Sequence, residues 1–267
     1  MLKYPYIKEM HKLSNTLNEF DFEYTWNVDS SMTDSRGNIS PAGLQRICVN
    51  TIEHHLVNIN LSVTHLMENY GLSWILLSLT THILSPIKLG DELVLHTRHT
   101  NRKGVIYRRD IEFKRGGEIV AIAVSFSSIL DIAQRRICTD KDVLDSLPIP
   151  CDSKPMCEAV SRHKVKPEEF AFLEERAVRP SWIDPIGHVN NLRYSEFIHD
   201  ALPKELEASL ESLKCISVYF TGELKKDERF SVLAKRDGND FEVMGIRLND
   251  EKPAFSAKLS FELGESV

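Results

Sequence analysis

The stretch "FDFEYTWNVDSSMTDSRGNISPAGLQRI", residues 20–47, returns 150 positions later as "FAFLEERAVRPSWIDPIGHVNNLRYSEF", residues 170–197. Six of the 28 ungapped positions are identical: Phe20 and Phe170, Phe22 and Phe172, Val28 and Val178, Ser31 and Ser181, Asp34 and Asp184, Gly37 and Gly187. The surrounding pattern agrees as well. Each copy opens with apolar residues at alternate positions, and in the first Phe20, Phe22, Tyr24, Trp26 and Val28 share one face, as in a half-buried strand. A turn with Asp and Gly follows, then a helix. The first helix starts at Ser40-Pro41, where Ser suits an N-cap and Pro the first helical position. Its Leu44, Ile47, Cys48, Ile52 and Leu56 recur at three- and four-residue steps. The second starts at Asn190-Asn191 and carries Leu192, Tyr194, Phe197, Ile198 and Leu202.

Four strand-like runs follow each helix: 74–84, 92–100, 104–114 and 118–131 in the first half, then 215–221, 229–236, 240–247 and 253–263 in the second. Strand, long helix, four strands is an α+β unit. Its economical packing is an antiparallel sheet wrapped around the helix, which buries its apolar stripe in the concave face. Two such units in one chain pair as a pseudo-dimer. The stretch "LPIPCDSKPMCEAVSRHKVKPEE" (147–169), rich in Pro and charge, holds the linker. The expected domains are 1–146, a linker at 147–166, and 167–267.

Composition narrows the function. A net charge of −6 speaks against nucleic acid as the main partner, because phosphate binding needs a basic footprint. No apolar run approaches the roughly 20 residues of a membrane span. The five cysteines are scattered without a C-x-x-C pair, which fits free thiols in a reducing compartment, so the cytoplasm is expected. One basic concentration stands out, Arg98, Arg102, Lys103, Arg108, Arg109, Lys114 and Arg115; it reads either as a solvated strand face or as a dock for an acidic partner. His54 and His55 point to different helix faces and do not make a metal site with Glu53 and His65, and no cofactor is expected.

The second copy carries an unusual polar cluster. Within "DPIGHVNN", residues 184–191, lie Asp184, Gly187, His188, Asn190 and Asn191. Two copies of a strand–helix–four-strand unit with D-x-x-G-H-V-N-N at a helix entrance resemble the hotdog-fold thioesterases, and among them the tandem acyl-acyl-carrier-protein (acyl-ACP) thioesterases. "SPIKLGDELVLHTR" (85–98), "SILDIAQRRICTDKDVLDSLP" (128–148) with its paired arginines, and "YFTGELKKDERFSVL" (219–233) extend the resemblance over nearly the whole chain. The family pattern is Asp-x-Asn-x-His followed by a Glu. Asp184 and His188 match it, and so does Glu223, 223 − 188 = 35 positions after the histidine. Ile186 stands where the family has asparagine, and the local string looks closer to acyl-coenzyme A relatives.

The resemblance implies hydrolysis of a fatty acyl thioester on acyl carrier protein, with the acyl chain held in the first half. It implies Asp184 as base or nucleophile and Glu223 as its assistant, though these roles can be exchanged, and His188 as the group that orients a carboxylate or binds the carbonyl. A helix beginning near Asn190 would aim unpaired N–H groups around Asn190 and Asn191 at the thioester oxygen. Gly187 would permit a tight turn with no Cβ facing the substrate. In the first copy the His188 position is Asn38, and counting back four from Asp91 places Ile87 opposite Glu223, so a single site in the second half is expected. Coenzyme A as carrier and a non-catalytic fatty-acid or acyl-thioester binding protein stay open as alternatives, as does further pairing into a homodimer.

Overall fold

The computed structural model describes residues 21–147, 149, 154, 155, 157 and 166–263. Phe20 and most of the expected linker lie outside the described residues. The elements of the first half are β1 (Phe22–Asn27), α1 (Pro41–Asn58), α2 (Val63–Tyr70), β2 (Leu72–Ile83), β3 (Glu92–Lys103), β4 (Ile106–Arg115), β5 (Glu118–Asp131), β6 (Arg136–Ile137) and α3 (Lys141–Ser146). Those of the second are β7 (Ala171–Ala177), α4 (Asn191–Asp200), α5 (Lys204–Glu207), β8 (Leu213–Phe220), β9 (Arg229–Asp237), β10 (Asp240–Arg247) and β11 (Pro253–Phe261).

The strands form a single antiparallel sheet in the order β1-β3-β4-β5-β2-β8-β11-β10-β9-β7, with the short β6 paired to β5. Each half is a five-strand path in the same relative order, reversed across the β2–β8 seam. There Ser78 to His82 pair with Tyr219 to Cys215, and the Thr80 hydroxyl donates to Ser217 Oγ at 3.0 Å. The seam removes one edge from each half-sheet, where unpaired N–H and C=O groups would otherwise invite another strand.

Each helix lies in the hollow of its half-sheet. Ser40 caps α1 by accepting from the Gly43 N–H, with Pro41 in the first turn, as the sequence predicts. The α1 stripe buries Leu44, Ile47, Cys48 and Leu56, and α4 buries Tyr194, Phe197 and Ile198. Burial of an aliphatic or aromatic side chain of this kind stabilises by about 1.5–3 kcal/mol. The two helices meet: Gln45 Nε2 on α1 donates to the Asn191 carbonyl at 2.8 Å, and the Ser195 hydroxyl of α4 donates to Gln45 Oε1. One apolar core therefore runs through both halves, joining Leu44 and Leu79 to Val218 and Phe197. A smaller cluster of Leu56, Leu61, Leu66, Leu72, Tyr107 and Ile129 lies beneath the α1–α2 connection.

All eight long strands after the helices fall where the alternation predicts them. β7 departs from the pattern of its counterpart. Both are edge strands, but β7 exposes Phe172 (62%) and Leu173 (45%), whereas Phe22 in β1 is buried and stacks on His55 of α1 at 5.4 Å. The helix α2 is not anticipated by the repeat; in the corresponding place between long helix and strand the second half has only the four-residue α5.

Candidate active site

The turn before each helix is built in the same way. Asp184 N–H donates to the His188 carbonyl at 2.9 Å and Gly187 N–H to the Asp184 carbonyl at 3.0 Å; Asp34, Asn38 and Gly37 repeat both bonds at 2.8 and 3.1 Å. Asp184 Oδ1 accepts the Ile186 N–H at 2.9 Å, as Asp34 Oδ1 accepts that of Arg36 at 2.9 Å. Gly187 sits at φ +92°, the left-handed region, matching Gly37 at +78°. So the aspartate and glycine serve the turn in both halves.

What differs is the next residue. Asn38 donates its side-chain amide to Asp34 Oδ2 at 3.3 Å; in the second half the imidazole of His188 takes that place, with Nδ1 at 3.4 Å from Asp184 Oδ2. On its other side His188 Nε2 stands 3.9 Å from Glu223 Oε1. The imidazole thus lies between two carboxylates on a partly buried wall, with side-chain exposures of 13% for Asp184, 16% for His188 and 35% for Glu223.

The electrostatics follow from this geometry. The hydrogen bond with Asp184 raises the His188 pKa; burial works against it, but the charges of Asp184 and Glu223 help, and the net shift is upward. For Asp184, burial pushes the carboxyl up, yet the His188 imidazole and the backbone N–H groups of Ile186 and His188 outweigh it and hold the pKa below its ordinary value.

Glu223 arrives on the loop after β8, where His188 and Lys225 form a one-residue antiparallel bridge and Val189 N–H donates to the Leu224 carbonyl at 2.8 Å. The equivalent first-half bonds are Asn38 with Lys88 and Ile39 N–H to the Ile87 carbonyl. Lys88 therefore corresponds to Lys225, Ile87 to Leu224, and Pro86 to Glu223. This corrects the expected match of Ile87 with Glu223 by one residue. The turn acids that align are Asp91 and Glu228, which accept from the Lys88 and Lys225 N–H groups, and not Asp91 and Asp227.

At the helix start the two asparagines divide their roles. Asn190 is the N-cap: its Oδ1 accepts the Leu192 N–H at 2.9 Å, and its own N–H donates to the Trp182 carbonyl at 2.8 Å. Its N–H is thus taken up by the fold, contrary to the expectation that it faces a substrate. Asn191 is the first helical residue, where an N–H has no partner within the helix. Among the described residues none accepts from it.

The sequence does not reveal that the first half reaches into this site. Arg135, in the turn between β5 and β6 and at φ +49°, donates Nη2 to Glu223 Oε2 at 2.7 Å. Lys225 Nζ lies 3.8 Å from the same oxygen, and Arg247 Nη1 donates to the Glu223 carbonyl at 3.1 Å. These groups line an open polar cleft of about 440 Å³. The only sequence signal is the pair of arginines at 135 and 136. Beneath the loop, Tyr194 is buried, and that burial pushes its pKa up.

The basic run 98–115 is not the surface the sequence suggests. Arg109 is 1% and Arg108 7% exposed. Arg108 forks onto Asp110 at 2.7 and 3.0 Å. Arg109 donates to His55 Nδ1 at 2.6 Å and lies 3.0 Å from His99 Nδ1. Arg115 bonds Asp91 and Arg102 bonds Asp145. The alternation that puts Arg109 inward belongs to β4; charge counting along the sequence cannot see it.

A cavity of about 130 Å³ lies between α1 and the first half-sheet, and Asn191 at the start of α4 forms part of its wall. Val49, Ile52, Leu56, Trp74 and Leu76 supply apolar lining.

The comparisons with known proteins agree with this architecture. Residues 19–147 match the acyl-ACP thioesterase N-terminal domain and residues 165–262 match the acyl-ACP thioesterase C-terminal domain. No curated protein sequence matches the chain. Among solved structures, an acyl-ACP thioesterase from Bacteroides thetaiotaomicron superposes with a TM-score of 0.78 at 20% identity, over 91% of this chain and 98% of its own. The 12:0-ACP thioesterase from Umbellularia californica does so with a TM-score of 0.78 at 16% identity, over 92% and 99%. The fold is a tandem hotdog, two sheet-wrapped helices in one chain. The protein belongs to the acyl-ACP thioesterase family and is a thioester hydrolase. No helix of the described residues is long and apolar enough to cross a membrane.

Proposed function

We propose that the protein hydrolyses a fatty acyl thioester carried on acyl carrier protein, releasing the free fatty acid and the carrier thiol, in the course of fatty acid metabolism in the cytoplasm. The observation that carries the site assignment is the placement of His188 between Asp184 and Glu223 at the mouth of α4, in the second half only. The reading divides the halves: residues 1–146 hold the acyl chain, 167–267 carry the reacting groups, and the intervening segment links them.

The roles we propose exchange those first expected for the two carboxylates. Asp184 makes the bonds that Asp34 makes in the half without the histidine, which supports Asp184 as the residue that orients His188. Glu223 has Oε2 held by Arg135, while Oε1 faces the imidazole. A water about 2.8 Å from both Oε1 and His188 Nε2 satisfies hydrogen-bond geometry. Glu223 would take a proton from that water as its oxygen attacks the carbonyl carbon. The His188 imidazolium and the Asn191 N–H would meet the charge developing on the carbonyl oxygen; one such donor typically contributes about 2.7–4 kcal/mol. The C–S bond then breaks, and the proton held by Glu223 goes to the leaving sulfur. Gly187 keeps this approach free of a Cβ: none placed there would meet another atom within 4 Å.

The acyl chain would run from Asn191 into the cavity along α1. From Gln45 to Leu56 that helix advances about 16 Å at 1.5 Å per residue. The cleft bordered by Arg135, Lys225 and Arg247 would admit the phosphorylated pantetheine arm between the halves. Coenzyme A carries the same arm, so the choice of carrier is tested by kcat/KM for one acyl chain on each. A higher value on the carrier protein supports the proposal; a higher value on coenzyme A replaces the carrier and keeps the chemistry.

A further inference from the structure

The cavity assigned to the acyl chain is not lined as a plain hydrocarbon slot would be. Its helix side and β2 are mostly apolar, but β3, β4 and β5 present His99, Arg109, Ser125 and Ser127 to the same space, and α1 adds Glu53. These residues share a face because the register sets them together: His99 and Ser125 both pair with Arg109, and Ser127 pairs with Leu76.

The polar wall lies away from the thioester end. Arg109 bonds His55, and His99 stacks on Trp74 at 5.6 Å, whose indole N–H donates to the Leu61 carbonyl. His55 belongs to the C-terminal half of α1, and Leu61 to the connection between α1 and α2. Burial and the neighbouring guanidinium push the His55 pKa down to about 2 and His99 down as well, so both rings are neutral beside Arg109. Ser125 is 1% exposed, and no hydrogen bond from either serine hydroxyl is seen among the described residues.

A methyl-ended chain pressed against this wall would remove the half-buried Ser127 hydroxyl from water and return a hydrogen bond neither to it nor to Ser125, at a cost of roughly 1–3 kcal/mol for the hydroxyl so desolvated. A chain bearing oxygen there would complete both hydroxyls. From this we infer that the preferred substrate is an acyl chain carrying a neutral oxygen function, a hydroxyl or ketone, in its distal part, read by Ser125 and Ser127 beside Arg109 and His99. Glu53 shares the cavity and opposes a carboxylate end, while the Arg109 guanidinium that would attract one is already engaged by His55, Thr97 and His99. The inference rests on the hydrolase reading above and adds the substrate class.

The test uses the full-length protein and acyl-carrier-protein thioesters of equal chain length ending in methyl, hydroxyl or carboxyl, together with calorimetry on the matching free fatty acids. The expected result is a kcat/KM for the hydroxylated chain about 10–100-fold above the methyl-ended one, with the carboxylated chain below the hydroxylated one. Ser127→Ala, a small change less disruptive than any at buried Arg109, is expected to shrink that ratio several-fold, by weakening the hydroxylated substrate and by relieving the methyl-ended one of an unmatched hydroxyl. Turnover that favours the methyl-ended or carboxylated chain overturns the inference and leaves the hydrolase reading standing. Absence of turnover with selective binding of the hydroxylated acid overturns the hydrolase reading and supports the polar wall. Absence of both overturns both.

Discussion

Arg135, from the first half, holds Glu223, from the second, through an Nη2–Oε2 bond of 2.7 Å across 88 residues of sequence. The candidate site is therefore completed by a residue from the half that lacks the histidine. The bond leaves Glu223 with one oxygen tethered and one facing His188.

With side-chain exposures of 57% and 35%, this ion pair contributes only about 0–1 kcal/mol to stability. Its effect should appear in turnover. Arg135→Gln is expected to lower kcat about tenfold while the melting temperature moves by no more than a few degrees; steady-state kinetics and thermal unfolding on one preparation check this. A large loss of stability with unchanged kcat would make Arg135 a structural clamp.

His188 gives the site a pH signature. Its folded pKa lies above the ordinary 6.5, so its contribution to stability is complete below the unfolded value and fades as pH rises through the folded one. Asp184, with a lowered pKa, contributes above its unfolded value and loses that contribution as pH falls through the folded one. Both contributions are thus complete between the two unfolded values, 3.8 for the carboxyl and 6.5 for the imidazole. Activity that uses the imidazolium should fall on the alkaline side above pH 6.5. In Asp184→Asn, which removes the main cause of the upward shift, that limb should move to lower pH; a pH–rate profile of both proteins reads it.

Arg108→Glu tests the corrected view of the basic run. Arg108 is paired with Asp110, whose side chain is fully buried, and reversal places two carboxylates together in the interior. Removing one partner of a buried pair costs about 3–5 kcal/mol, and reversal should cost no less, seen as a collapse in denaturant midpoint. A stable variant whose only defect is a salt-dependent weakening toward the carrier protein would restore the docking surface.

Gly187→Ala should be strained although the space is open. At φ +92° an L side chain costs about 1–2 kcal/mol, which a drop in thermal midpoint would reveal.

Much of the architecture is legible in the sequence, because alternation and helical spacing are local properties and the repeat shows them twice. The caps at Ser40 and Asn190 fall where the residue types place them. Asp184, His188 and Glu223 are brought together as the motif spacing implies. What the sequence conceals is set by pairing across the sheet. Arg135 reaches Glu223 only because the seam at β2–β8 joins the halves, and Arg109 faces inward because of the phase of β4. The one-residue error opposite Glu223 has the same origin: the acids that align are defined by backbone bonds to Lys88 and Lys225, and not by residue type alone. Asn190 reads identically as N-cap or substrate ligand until its N–H is seen bonded to Trp182.

The most direct test of the account is the rate of thiol release from a medium-chain acyl-carrier-protein thioester by the wild-type protein, Glu223→Gln and Asp184→Asn. Loss of a base that accepts a proton in the rate-determining step should lower kcat by about 10²–10⁴-fold in Glu223→Gln. Asp184→Asn should reduce kcat and shift its alkaline limb. Wild-type release that persists undiminished in Glu223→Gln would contradict the assignment of Glu223 as the group that activates water.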